Sequence, residues 1–232
     1  MNKTICDIPA CKVSRAFLGT ENIPDKIIFT PISRIYNEIK ERYDAKERHE
    51  CWWDNFSYET RNKQEVMVVE THQGNTIVDP ILTMNDNCNY LIFLGYCGGL
   101  HPNMKIGDIT IATASYFENQ DVIYRSKTDF SKVISRFPNS FPGTNLTVES
   151  VLREAKALKS KIPGYLKQGT VSVDQETAYL YKESTSPVAS VMVVTDLPLT
   201  RTLFDLSDEE NKQVRDGAKK LANGIMDLTE II

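Results

Sequence analysis

Short apolar runs along the chain predict the strands of a central sheet. Four of them are continuously apolar, which is typical of strands that are buried on both faces of a mostly parallel sheet. These four runs are Lys26–Thr30, Val66–Glu70, Tyr90–Leu94 and Val188–Thr195. Two further strands are predicted at Gly169–Val173 and at Ile109–Ala114, where apolar and polar residues alternate.

Segments with apolar residues at helical spacing lie between these strands. Such spacing puts apolar side chains on one helix face, which packs against the sheet. The predicted helices are Pro31–Tyr43, Gln73–Leu82, Thr147–Lys161, a helix that begins at Asp174, and a last helix from Ser207 to Leu228. Ser207 and Glu210 form the capping-box pattern that marks the start of the last helix. The sequence therefore predicts an α/β fold, a twisted mixed central sheet flanked by helices, as a single domain over residues 1–232.

Three segments show no regular period. Residues 1–24 are predicted to form an irregular arm, and residues 119–143 to form a long loop, which in a compact domain usually has a function. Residues 46–62 combine charged and aromatic side chains, including Trp52 and Trp53. We expect the aromatic rings to be buried in the core, and the alternative is that the segment forms a hairpin or a subunit contact.

Composition and charge restrict the class of protein. The chain has 232 residues, 41% of them hydrophobic and 25% charged, as in ordinary globular proteins. Lys and Arg number 27 against 31 Asp and Glu, so the net charge is −4 and no basic block favours nucleic acid as a partner. No apolar run approaches the roughly 20 residues of a membrane helix, and the N-terminus lacks a signal-peptide core. We therefore expect a cytoplasmic protein with neither a nucleic-acid nor a membrane partner.

Cysteine and histidine spacing gives no sign of a metal site. The five cysteines form an odd set without C-x-x-C spacing, so neither a disulfide framework nor a zinc site is predicted. The three histidines, His49, His72 and His101, are far apart in the sequence. We expect no structural metal.

A glycine-rich segment follows the predicted strand Tyr90–Leu94. Its sequence from residue 95 to 100 is GYCGGL, and a backbone with so few Cβ atoms can turn sharply and bring its N–H groups close to a ligand. Open α/β sheets bind ligands at the carboxyl ends of their strands. Residues 95–100 are therefore predicted to form a loop in the active site, although glycine-rich turns also occur without any ligand.

Three segments resemble the signature of the nucleoside phosphorylase and nucleosidase superfamily, which includes purine nucleoside phosphorylase, methylthioadenosine nucleosidase and AMP nucleosidase. The first segment is a strand, a G-x-C-G-G-L loop and a G-D-x-x-x-A strand, and GYCGGLHP is most similar to the AMP nucleosidase branch. Its matching residues are Gly95, Cys97, Gly98, Gly99, Leu100, Pro102, Gly107, Asp108 and Ala112. The second segment, VDQETAYLY from Val173, resembles V-D-M-E-T-A-x-L-Y. The third, VTDLP from Val194, resembles V-S-D-x-P with Thr195 in place of Ser.

The resemblance implies that two acids cleave an N-glycosidic bond. Such cleavage needs a stabilised oxocarbenium-like sugar and a proton for the departing base. Asp196 matches the acid that protonates a purine at N7, a role for which burial would raise its pKa. Glu176 matches the acid that accepts hydrogen bonds from the 2′ and 3′ hydroxyls of the ribose. The alternatives are that Asp196 caps a following helix and that Glu176 stabilises the first turn of one.

The resemblance also implies further substrate-binding residues. Asp174 and Gln175 belong to the same segment as Glu176, and Gln175 replaces a Met that lies under the ribose. The residues that would contact the attacking group are Gly95, Tyr96, Cys97 and Gly98. Arg34 lies near the place of the family's first phosphate-binding Arg, or it is a solvated charge in the first turn of a helix. A homo-oligomer is implied, whereas no metal or organic cofactor is.

One departure from the family pattern concerns the nucleophile. Phosphorylases of the bacterial hexameric type usually carry Arg two residues before the first glycine and Ser or Thr directly after it, whereas this chain has Phe93 and Tyr96. A phosphate dianion in an enclosed site needs paired cations or several donors. Water is therefore the expected nucleophile.

A second departure concerns the base. The family has a base-recognition loop between the strand that matches residues 169–173 and the segment that contains Glu176, but here the two are directly joined. The base pocket is therefore expected from Tyr116, Phe117, residues 119–143 or a neighbouring subunit.

The sequence thus predicts an N-ribosyl hydrolase that acts on a purine nucleoside or nucleoside monophosphate. One alternative is a purine nucleoside phosphorylase that uses inorganic phosphate. The other is a nucleotide-binding protein of the same fold without catalytic activity. The expected partners are a small-molecule nucleoside or nucleotide and, for the first alternative, inorganic phosphate.

Overall fold

One mixed sheet of nine strands forms the centre of the protein. The structure is a computed structural model, and it describes residues 10–43, 45–48, 51–77, 88–118, 120–150 and 160–232. The strands are β1 (Lys26–Thr30), β2 (Lys46–Arg48), β3 (Asn55–Glu59), β4 (Glu65–Glu70), β5 (Tyr90–Gly99), β6 (Ile109–Phe117), β7 (Phe141–Thr147), β8 (Thr170–Asp174) and β9 (Val188–Asp196). The described residues include the α-helices α1 (Ala10–Leu18), α2 (Ser33–Lys40), α3 (Phe130–Arg136), α4 (Thr177–Glu183) and α5 (Asp208–Thr229). Residues 160–167 are also helical.

The sheet is partly open and partly closed. Its strand order is β2-β3-β4-β1-β5-β8-β7-β6-β9, and β9 also pairs with β5. The five strands from β5 to β9 in this order therefore close into a ring, from which the other four extend as an open sheet. Parallel pairs such as β1–β5 and β5–β9 occur beside antiparallel pairs such as β6–β9. The mixed sheet with flanking helices confirms the predicted fold class.

Both faces of the sheet are buried, which explains why its strands are continuously apolar. Along β1, Ile27 and Phe29 belong to one core cluster and Ile28 to another, because successive side chains of a strand point to opposite faces. α5 covers the second cluster with a stripe of apolar residues, namely Ala218, Leu221, Ala222, Ile225 and Leu228. None of the helices in the described part of the chain combines the length and the apolar character that crossing a membrane requires.

The capping box at the start of α5 is present as predicted. The Ser207 hydroxyl accepts a hydrogen bond from the Glu210 N–H at 3.3 Å, and the Glu210 carboxylate accepts one from the Ser207 N–H at 2.7 Å. These two bonds satisfy N–H groups that have no partner within the helix.

The predicted arm over residues 1–24 is wrong where the structure describes it, because α1 occupies Ala10–Leu18. Leu18 is buried in the core cluster that also contains Trp53. A helix of nine residues makes fewer than three turns, which is too short for an apolar period to be recognised.

The predicted loop over residues 119–143 is also wrong, because it contains α3 and the start of β7. Asp129 caps α3, and its carboxylate accepts a hydrogen bond from the Ser131 N–H at 3.1 Å. Only Val133 of this seven-residue helix is buried, so the sequence shows no apolar stripe.

The hairpin alternative for residues 46–62 is confirmed, since β2 and β3 pair as antiparallel strands. The prediction that the aromatic rings are buried is correct for Trp53 but wrong for Trp52, which is 74% exposed. Trp53 belongs to the core cluster that also contains Leu18, whereas the Trp52 ring lies edge-on to Phe17 at a centroid distance of 4.8 Å.

Two predicted helices fall partly outside the described residues. Of Gln73–Leu82, the structure describes a 3-10 helix at Gly74–Ile77, and residues 78–82 lie outside the described ranges. Of Thr147–Lys161, Thr147 is the last residue of β7, residues 151–159 are not described, and residues 160 and 161 are helical.

Candidate active site

The glycine-rich segment is the second half of a strand rather than the predicted loop. β5 continues through Gly99, and its register shifts between Cys97 and Gly98. Before this shift β5 pairs with β9, and at Gly98 and Gly99 it also pairs with β8. A Cβ atom on Gly98 would lie 2.9 Å from Pro198 and from Val173, so this position tolerates only glycine without rearrangement.

The strand junction at Gly98 explains how two distant acids come to face one space. Gly98 pairs with Val173 of β8 and with Asp196, the last residue of β9. β8 ends one residue after Val173, and Glu176 follows it as the residue before α4. Glu176 and Asp196, which are 20 residues apart in sequence, therefore follow or end strands that pair with Gly98.

A cavity of about 150 Å³ lies at this junction. The predicted site residues in its wall are Asp174, Gln175, Glu176, Asp196, Tyr96, Cys97 and Gly98. Among the described residues that line it, there are three carboxylates and no Lys, Arg or His. The cavity is therefore lined by acids, and no described residue of its wall supplies a positive charge to balance an anion.

Glu176 is 5% exposed, and its carboxylate faces the cavity. One oxygen accepts a hydrogen bond from the Gly74 N–H at 2.7 Å, and the other accepts one from the Gln175 N–H at 3.2 Å. Burial, and after it the neighbouring Asp174, raise the pKa of Glu176 to about 7. Although Glu176 stands at the N-cap position of α4, its side chain does not cap the helix. Since a carboxylate offers about four acceptor sites, two remain for a ligand.

Asp196 is half-buried at the end of β9, and burial raises the pKa of its carboxyl group. The Thr195 hydroxyl can donate to Asp196 at 3.1 Å or to the Cys97 carbonyl at 3.3 Å. A tight turn follows, closed by hydrogen bonds between Leu197 and Arg201. Asp196 therefore does not cap a helix, and its carboxyl group is available to a molecule in the cavity.

Asp174 is held by the protein itself. One carboxylate oxygen accepts from Asn145 and Thr147, both at 2.7 Å, and the other accepts from the Thr177 N–H at 2.9 Å and from the Thr177 hydroxyl. Burial raises the pKa of Asp174, while these bonds act in the opposite direction. The carboxylate thus joins the ends of β7 and β8 to the start of α4 and supports Glu176 beside it.

Tyr96 and Cys97 contribute differently to the wall. Cys97 is buried, its Sγ lies 3.4 Å from the Thr110 hydroxyl, and burial raises the pKa of its thiol, so it remains protonated. Tyr96 is half-buried, and burial raises the pKa of its phenol while the nearby Arg34 lowers it.

Two predicted site residues do not line the cavity. Gly95 lies within β5, where a Cβ atom would be 2.8 Å from the Phe93 ring, so its role is close packing. Arg34 is exposed near the start of α2, close enough to Tyr96 to affect its pKa. Nor are Tyr116 and Phe117, suggested above for the base pocket, among the described residues of the wall.

Several wall residues were not predicted, including Gln73, Thr195, Ile32 and Leu203. Ile32 and Gln73 follow the carboxyl ends of β1 and β4, the edge where parallel sheets bind ligands. Their place shortly after a predicted strand is the sequence feature from which both residues could have been predicted to line the site. Nothing local in the sequence indicates the bond from Gly74 to Glu176, which joins residues 102 positions apart.

Comparison with known proteins shows the family to which the chain belongs. A sequence profile described as the phosphorylase superfamily matches residues 54–232, and the chain belongs to this family. No curated protein matches the sequence significantly.

Solved structures show the same fold at low sequence identity. The structure of 5′-methylthioadenosine/S-adenosyl homocysteine nucleosidase from Campylobacter jejuni is 14% identical, with a TM-score of 0.73, and the match covers 90% of this chain and 100% of that chain. The corresponding nucleosidase from Neisseria meningitidis, in complex with methylthio-immucillin-A, is 13% identical, with a TM-score of 0.72 and coverage of 88% and 100%. Futalosine hydrolase from Helicobacter pylori is 12% identical, with a TM-score of 0.71 and coverage of 90% and 100%.

Proposed function

We propose that the protein is an N-ribosyl hydrolase that cleaves the N-glycosidic bond of a purine nucleoside or nucleoside monophosphate. The observation that carries this proposal is that Asp196 and Glu176 face one cavity, and that both have a raised pKa. Membership of the phosphorylase superfamily supports it, as does the fold shared with a nucleosidase and with futalosine hydrolase.

The two acids divide the reaction between them. Asp196, whose raised pKa favours the protonated form, donates its proton to N7 of the base while the C1′–N9 bond breaks and its electron pair passes to the base. Glu176 accepts hydrogen bonds from the ribose hydroxyls with the acceptor sites that Gly74 and Gln175 leave open. The sugar is then held while its ring flattens toward the oxocarbenium-like transition state. Water adds to C1′ and releases a proton to solvent, and Asp196 regains a proton from solvent. The products are the free base and ribose, or ribose 5-phosphate from a monophosphate.

The charge of the cavity favours water over inorganic phosphate as the nucleophile. No cation occurs among the described residues of the wall, so a phosphate dianion placed there would lack the paired cations that it needs. Phe93, where phosphorylases usually carry Arg, is completely buried in the core. Arg34 does not line the cavity; it is exposed and close enough to Tyr96 to lower the pKa of that phenol.

The test is to incubate the protein with inosine and with adenosine in the presence and absence of phosphate, and to separate the products by chromatography. The proposal predicts free base and ribose at the same rate in both buffers. Strict dependence on phosphate, with ribose 1-phosphate as the product, would establish phosphorolysis instead and would give Arg34 a role.

We also propose that the protein acts as a homo-oligomer in the cytoplasm. Large exposed apolar side chains support self-association, among them Trp52 at 74% and Phe204 at 73% exposure. Sedimentation velocity tests this proposal, since a purely monomeric protein at micromolar concentration would contradict it.

A further inference from the structure

Another cavity, of about 240 Å³, lies apart from the one that contains the two acids. It forms where the turn before β6 and the turn before β7 approach α5, and it is lined by residues 107–109, residues 136–140 and Lys220. None of these residues lines the cavity of Asp196 and Glu176. The two cavities are therefore separate, and the second one is called the α5 cavity below.

Glycines bring the walls of the α5 cavity together. A Cβ atom on Gly217 of α5 would lie 2.7 Å from the Gly107 carbonyl oxygen, and one on Gly107 would lie 2.5 Å from the Gln213 carbonyl oxygen. Two turns further along the helix, a Cβ atom on Gly224 would overlap the Phe137 ring. Both walls therefore pack directly against the backbone of α5, which leaves a defined space between them.

Two cations lie beside this space. Lys220 is three residues after Gly217 and four before Gly224, which puts it on the helix face between the two contacts. Arg136 is the last residue of α3, directly before Phe137. Among the described residues, neither Arg136 nor Lys220 forms an ion pair. Both positive charges are therefore available to a ligand.

One carboxylate, that of Asp108, also belongs to the lining. It already accepts a hydrogen bond from the Lys105 N–H at 2.8 Å. The turn that carries it is fixed to β9, because the Gly107 N–H donates to the Val194 carbonyl and the Val194 N–H donates to the Asp108 carbonyl, both at 2.8 Å. The lining thus has two cations against one carboxylate, whereas the lining of the first cavity has three carboxylates and no described cation.

Ser140 adds a hydroxyl group that the described residues leave unsatisfied. Its Oγ is buried and has no hydrogen-bond partner among them. The Ser140 N–H donates to the Phe137 carbonyl at 2.9 Å and closes the turn that contains Pro138, so the residue is held in place by its backbone. Buried hydroxyl groups nearly always have a partner. Because Ser140 lines the α5 cavity, a molecule bound there can accept its hydrogen bond.

We infer that the α5 cavity binds a phosphate group, either as inorganic phosphate or as the phosphate of a small ester. A guanidinium and an ammonium group supply the charge-assisted donors that a phosphate needs, and the Ser140 hydroxyl supplies a neutral one. At about 240 Å³ the cavity is below the roughly 300 Å³ at which pockets for larger molecules begin, so it suits a small anion. Phosphate bound here lies outside the cavity in which the glycosidic bond is cleaved.

The experiment follows the melting temperature of the protein during titration with sodium phosphate, with sodium chloride at matched ionic strength as the reference. The melting temperature should rise to a plateau with phosphate and should not do so with chloride. A second titration uses glycerol 3-phosphate. Tighter binding than that of inorganic phosphate supports the inference with an ester as the ligand, and equal or weaker binding supports it with free phosphate as the ligand.

Substitutions then locate the bound phosphate. Arg136→Gln combined with Lys220→Gln should weaken binding about tenfold or more, because both charged donors are lost. The matched control is Arg215→Gln combined with Lys219→Gln, which removes two charges from exposed positions of α5 outside the cavity and should bind as the wild type does. Ser140→Ala should weaken binding about tenfold without destabilising the ligand-free protein, since the hydroxyl has no described partner to lose.

Three results would overturn the inference. They are a phosphate titration without a plateau, an equal loss of binding in the control pair, and unchanged binding in either the Arg136 and Lys220 pair or Ser140→Ala. Arg34→Gln distinguishes the two cavities, because loss of phosphate binding in this variant alone would place the anion near Tyr96 and contradict the inference. None of these measurements depends on cleavage of a nucleoside, so this inference and the proposed function can fail separately.

Discussion

Glu176→Gln is expected to make the protein more stable than the wild type at alkaline pH. The wild-type carboxyl group has a pKa raised from 4.5 to about 7 by burial and by Asp174. The folded state therefore binds a proton more tightly than the unfolded chain does. The stability that this proton contributes is fully present below the unfolded value of 4.5, and it is lost as the pH rises through about 7.

The magnitude follows from the size of the shift. Each pKa unit corresponds to about 1.4 kcal/mol, so raising the pKa from 4.5 to about 7 costs the wild-type fold about 3 kcal/mol at alkaline pH. Gln has no charge to bury, and its carbonyl oxygen can still accept the bond from the Gly74 N–H. The variant should therefore lack this loss of stability.

The assay is urea unfolding of the wild type, Glu176→Gln and the control Glu209→Gln near pH 5 and near pH 8. Between these conditions, the wild type and the control should lose about 2 to 3 kcal/mol more stability than Glu176→Gln does. The same pH dependence in all three proteins would refute the reasoning, because Glu176 would then titrate as an ordinary exposed acid.

Two further substitutions test the packing of the site and of its scaffold. Gly98→Ala should lower the free energy of unfolding by about 1–3 kcal/mol, because the added Cβ atom would lie 2.9 Å from both Pro198 and Val173. Thermal unfolding measures this loss, and a variant as stable as the wild type would show that the junction can relax. Ser207→Ala should lower the free energy of unfolding by about 1 kcal/mol through loss of the α5 cap, whereas Ser207→Asp should retain most of the wild-type stability. Equal melting temperatures for these two variants would contradict the role of the cap.

The strands that could be predicted are those with an unbroken apolar sequence. β1, β4 and β9 are buried on both faces, and strands in such an environment are composed mainly of apolar residues. The position of Asp196 follows in the same way, because an acid directly after a buried strand lies at the carboxyl edge of the sheet. Glu176 is predicted from its motif, and its place in the fold follows from the end of β8.

Features that depend on contacts between distant residues could not be predicted. Glycines at residues 95, 98 and 99 indicate a loop by their local preference, yet β5 continues through them because β8 and β9 supply hydrogen-bond partners. Likewise, the proximity of Gln73 to Gln175 depends on the fold, as does the bond from Gly74 to Glu176. The local sequence indicates whether a residue is buried, but it does not indicate which distant segment packs against that residue.

The account depends on proton donation by Asp196, and the most direct test is kcat/KM of Asp196→Asn for the best nucleoside substrate. The account predicts a loss of about a hundredfold or more, the usual range for removal of a general acid, with a wild-type circular dichroism spectrum. Asp216→Asn makes the same chemical change on the exposed surface of α5 and should retain full activity. Activity of Asp196→Asn within about twofold of the wild type would contradict the assignment of the acid and the proposed function with it.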